Sequence, residues 1–72
     1  MKYLTNKGEL IYVPSQTLLH TIDGQGNVNN YMKICDPANL LVTEVHERTY
    51  EILYHGKKWL VEKDKTYGVK ND

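Results

Sequence analysis

The chain has 72 residues, with nine lysines and arginines against nine aspartates and glutamates, so its formal net charge is +0. One domain is the limit at this length, and such a domain buries only about 60% of the surface its unfolded chain exposes, which leaves a thin core. Residues 1–36 and 37–72 are each separately balanced in charge, so no field of one sign argues for a dedicated polyanion binder.

Residues 2–5 and 9–13 read as a short hairpin around Asn6-Lys7-Gly8. Gly8 suits the left-handed position of such a turn, and Leu10-Ile11-Tyr12-Val13 is dense in strand formers. Pro14 cannot donate to a ladder and ends the run. A second apolar run covers residues 17–22, and Asp23-Gly24-Gln25-Gly26-Asn27 is a turn. Val28, Met32 and Ile34 then fall at even spacing, interrupted by Asn30, which predicts a strand over 31–35 with an irregular, edge-like lead-in.

Residues 36–46 admit two readings. Asp36 before Pro37 is a good helix start, and Leu41 and Val45 lie four apart, so a short helix near residues 37–47 would make the fold α+β. Leu40, Val42 and Glu44 also alternate with Leu41, Thr43 and Val45, and the β-branched content favours a strand after a proline-containing turn.

The clearest element is a hairpin of residues 50–54 and 59–63. Tyr50, Ile52 and Tyr54 share one face of its first strand, and Trp59 and Val61 share one face of its second. With Gly56-Lys57 central, Tyr54 opposes Trp59; with His55-Gly56 central, Ile52 does, and both registers keep these five side chains together. The reverse side carries Glu51, Leu53, His55, Lys58, Leu60 and Glu62, and its two leucines call for a cover from elsewhere in the chain or from a partner. Residues 63–65 read as a polar turn and 66–69 as a last short strand. The fold class expected is mainly β: a small, partly open barrel of about five short strands.

Cys35 is the only cysteine, which rules out a disulfide within the chain and favours a reducing, cytoplasmic setting. The first eight residues lack the apolar run of a signal peptide, and no segment approaches a membrane span. Cys35, His46 and His55 match no compact ligand spacing, and Cys35 beside Asp36 has no motif for acyl transfer around it. Asp23-Gly24-Gln25-Gly26 lacks both the phosphate-loop lysine and the carboxylates of a calcium loop. Neither cofactor nor enzymatic activity is expected.

Two sets of side chains invite a partner. His55, Lys57 and Lys58 crowd the hairpin tip beside Tyr54 and Trp59, a pairing of cations and rings that suits single-stranded nucleic acid. Glu51, Glu62 and Asp64 offset that field, and Trp59 equally suits a core anchor. Leu53 and Leu60, with exposed tyrosines drawn from Tyr12, Tyr31 and Tyr50, suit contact with a second copy or another protein.

The short strands and the tight lysine-bearing hairpin resemble an SH3-like barrel, a form that implies no single function. In general character the chain is similar to the small accessory proteins of phages and prophages. The function expected is a non-enzymatic protein-interaction or assembly module, with nucleic-acid binding as the alternative and a small enzyme or metal protein third.

Overall fold

The computed structural model describes residues 5–69. Among them, seven strands form one antiparallel sheet: β1 (Leu10–Val13), β2 (Leu18–Ile22), β3 (Val28–Lys33), β4 (Ala38–Val45), β5 (Thr49–Tyr54), β6 (Lys57–Glu62) and β7 (Tyr67–Gly68). Their order across the sheet is β3-β2-β6-β5-β4-β1-β7. The domain is mainly β, as the alternating pattern predicts, with seven strands among the described residues where about five are expected; the last, β7, is a two-residue edge. Of the strand expected over residues 2–5, residues 2–4 lie outside the described residues and Thr5 belongs to no strand; β1 is held by β4 and β7.

The ambiguity at residues 36–46 resolves to strand β4, so the helix alternative is excluded. β4 pairs with β1 along its first half and with β5 along its second. A register shift separates these halves: Val42 stands opposite Ile52 but Glu44 opposite Glu51, which leaves Thr43 as the extra residue of a bulge. Such a residue bends the strand and increases its twist. It also inverts the alternation, so Glu44 leaves the Leu40–Val42 face that its spacing implies. The two carboxylates this brings across from each other are moderated locally. The Thr43 hydroxyl reaches Glu51 Oε2 at 2.7 Å, and Lys7 Nζ lies 3.5 Å from Glu44.

The last hairpin adopts the register with His55-Gly56 central: Tyr50 opposes Val61, Ile52 opposes Trp59 and Tyr54 opposes Lys57. His55 and Gly56 have φ of 50° and 74°, the pair of positive values that matches a two-residue turn to the right-handed strand twist. All five side chains predicted for its inner face point to one cluster. Tyr50, Ile52, Trp59 and Val61 are buried with Ile11, Val13, Leu19, Ile34, Leu40 and Val42, and Tyr54 packs against them. Burying a large aliphatic side chain contributes roughly 1.5–3 kcal/mol, so these few residues supply most of what holds so small a domain. Polar ties close its margins: the Thr5 amide donates to the buried Tyr50 hydroxyl at 3.0 Å, and the Thr17 hydroxyl donates to the Pro14 carbonyl at 2.6 Å, fixing the corner between β1 and β2.

Candidate interaction surface

The β2–β3 hairpin lies at one edge of the sheet and reaches β6 through a single registered pair, His20 opposite Leu60. Its turn is built by Asp23, whose carboxylate accepts from the amides of Gln25 at 2.8 Å and Asn27 at 3.0 Å. Gly26, at φ 84°, supplies the left-handed residue. Leu18, Leu19, His20 and Thr21 face Lys33, Met32, Tyr31 and Asn30 in order, but Ile22 then faces Val28. Asn29 is therefore the extra residue of a second bulge, and it inverts the alternation there. Val28, placed by spacing on the face of Met32 and Ile34, instead joins Tyr31 on the outer face. That outcome corrects the even-spaced reading.

The consequence is an edge hairpin with several large apolar side chains left exposed. Leu18, Ile22, Val28 and Tyr31 are 45%, 50%, 47% and 63% exposed. Leu19 and, just past β3, Ile34 are its fully buried anchors, with Met32 partly buried beside them. Leu18, His20, Val28 and Tyr31 form one side of an open groove of about 790 Å³, with Glu62 and Tyr67 across it. Tyr67 also lies against Tyr12, ring centroids 6.3 Å apart.

The leucines of the last hairpin part company. Leu60 is buried, at the floor of a shallow cleft that Ile22, His46 and Glu51 also line. Its cover comes from within the chain. Leu53 remains exposed, on the same outer side as Leu10 and Leu41, which face each other across β1 and β4.

At the hairpin tip the rings are already engaged. Trp59 is 8% exposed and belongs to the core, and Lys57 Nζ sits over it, 4.8 Å from the ring centroid. Tyr54 is half-buried, and the His55 ring meets it edge-on at 4.2 Å. Lys58 and His55 point to solvent. The six side chains proposed from sequence thus fall into separate environments: Leu60 and Trp59 inside, Tyr54 and Lys57 against the core margin, Leu53 and Lys58 outside. The hairpin side chains Leu18, Ile22 and Val28 were not singled out, because an apolar run with both parities filled does not say which parity is covered.

Cys35 is exposed. Among the described residues, no three histidine, cysteine, aspartate or glutamate side chains gather as metal ligands, and no helix is long and apolar enough to cross a membrane.

Comparison with protein-family models, with curated proteins and with solved structures finds no match.

Proposed function

We propose that this chain is a non-enzymatic interaction module that works by assembling with copies of itself. The observation that carries this reading is the edge hairpin β2–β3, where Leu18, Ile22, Val28 and Tyr31 all stand exposed and Leu18, Val28 and Tyr31 line an open groove. Contiguous apolar surface on so small a domain costs solubility unless a contact covers it. The formal net charge of +0 means that two copies approach without overall repulsion, the condition in which like molecules associate most readily. On this reading the domain is a structural part rather than a catalyst, in keeping with the phage or prophage accessory proteins that the sequence resembles in general character.

Sedimentation equilibrium over a wide concentration range tests the proposal. The expected result is an average mass that climbs from one chain towards two. A mass that stays at one chain up to the highest soluble concentration would overturn it.

A further inference from the structure

We propose that the assembly is a symmetric dimer in which the β3 strands of two copies pair antiparallel, with Tyr31 of each opposite Lys33 of the other. This rests on the self-assembly reading and names its contact. Antiparallel neighbours alternate between residues whose backbone groups bond inward and residues whose backbone groups point away. The Ile34 amide donates inward to the Thr17 carbonyl at 3.2 Å, and the register runs unbroken from Leu18 opposite Lys33 to Thr21 opposite Asn30. Residues 34, 32 and 30 therefore bond towards β2. Lys33 and Tyr31 turn their amides and carbonyls to the open edge, where no described strand pairs with them. Unpaired edges of this kind are templates for another strand unless a proline, a bulge or a centred charge blocks them.

Here the bulge lies at Asn29, beyond the stretch in question, and the single lysine lies at the strand's end. The two outward residues also select the register. A two-fold axis through Met32 sets Tyr31 against the second copy's Lys33, and Lys33 against the second copy's Tyr31, so every outward amide and carbonyl of both residues finds a partner. An axis through Tyr31 would send Lys33 to the bulged Asn29 and lose that match. In the favoured register each lysine ammonium meets a tyrosine ring on the outer face, where cations and aromatic faces attract. Tyr31, at 63% exposure, is the most open of the large apolar side chains among the described residues, and it becomes covered.

The test uses the full chain in two ways. First, the Lys33→Pro variant removes an amide that pairs with no described strand in the monomer but is needed in the dimer; sedimentation should show the dimer weakened at least tenfold, with the circular dichroism of the fold retained. Second, in a Cys35→Ser background, Tyr31→Cys and Lys33→Cys chains are mixed under mild oxidation. Cα atoms across a hydrogen-bonded pair are ~5.5 Å apart, inside the ~4.4–6.8 Å that a disulfide spans. The mixture should form a covalent dimer that neither variant forms alone. If Lys33→Pro fails to fold, the cysteine mixture decides by itself. A wild-type dimer that Lys33→Pro leaves at full affinity would keep the self-assembly reading and overturn β3 pairing. Cross-linking by Tyr31→Cys alone would overturn the register, and a chain that never dimerises would overturn both.

Discussion

Ile52 stands opposite Trp59 in the β5–β6 ladder, and that pairing holds because the turn two residues further on takes left-handed backbone at both of its central positions. Gly56, at φ 74°, has open space where a Cβ would go, so replacing it tests backbone strain without steric confusion. Gly56→Ala is expected to cost ~1–2 kcal/mol, the penalty for placing an L-residue in that region. His55→Asn, at φ 50°, should gain a few tenths of a kcal/mol, since asparagine accepts such angles more readily. Urea denaturation midpoints check both, and equal midpoints for the glycine and alanine chains would contradict the turn assignment.

Ile52 itself is fully buried. Truncation to alanine should remove ~2–5 kcal/mol, against a total stability of only ~0.05–0.15 kcal/mol per residue for ordinary domains. Ile52→Ala should therefore remove a large share of the stability and lower the thermal midpoint steeply, whereas Ile52→Val, at ~0.5–1.5 kcal/mol, should lower it only modestly. Leu53→Ala, one residue along and facing out, should shift the midpoint little. A larger effect at Leu53 than at Ile52 would invert the assigned faces.

The last hairpin was legible in the sequence because both of its strands alternate cleanly and each possible two-residue turn keeps the same face together. β4 was legible through its β-branched residues despite the helix start at Asp36-Pro37. What could not be read are the places where alternation breaks. Bulges at Thr43 and Asn29 move Glu44 and Val28 to the other face, and a bulge depends on pairing partners distant in sequence rather than on the strand's own residues. The order of strands has the same origin, since β2 meets β6 across some forty residues. For the candidate surface, the tip residues Tyr54, Lys57, Lys58 and Trp59 were visible as a cluster, but whether Trp59 faces in or out turns on the register at His55-Gly56.

The buried contact between the Thr5 amide and the Tyr50 hydroxyl gives a separable test. Tyr50 is 3% and Thr5 6% exposed, so water cannot readily replace the lost acceptor. Tyr50→Phe keeps the ring in the core and leaves that amide unpaired, at an expected cost of ~1–3 kcal/mol. Amide hydrogen exchange at Thr5 should accelerate in parallel. A phenylalanine variant as stable as the parent would show that the hydroxyl contributes nothing there.

Thr43 offers a test of the β4 bulge. Its hydroxyl contacts both the backbone carbonyl and the side-chain carboxylate of Glu51, while Glu44 stands across from Glu51 in the ladder. Thr43→Val preserves shape and β-branching but withdraws the hydroxyl from the carboxylate, for an expected loss of ~1 kcal/mol. Thr43→Ser should retain most of that hydrogen bond. If valine and serine were equally damaging, the effect would lie in packing at the bulge rather than in its hydrogen bond.

The basic tip yields an optical prediction, because Trp59 is the only tryptophan. A single strand gripped by cations and rings stacks its bases on open aromatic faces. Trp59 is 8% exposed and its ring is approached by Lys57 Nζ at 4.8 Å, so an incoming base would have to displace the lysine and open the core. Titrating oligodeoxythymidine at low ionic strength should leave the Trp59 emission unchanged. The parent and the Lys58→Ala chain should behave alike, since Lys58 sits on the opposite face of β6 from the indole. A quench that saturates, reverses with added salt and weakens in Lys58→Ala would instead make the tip a nucleic-acid contact, with the salt slope counting the phosphates engaged.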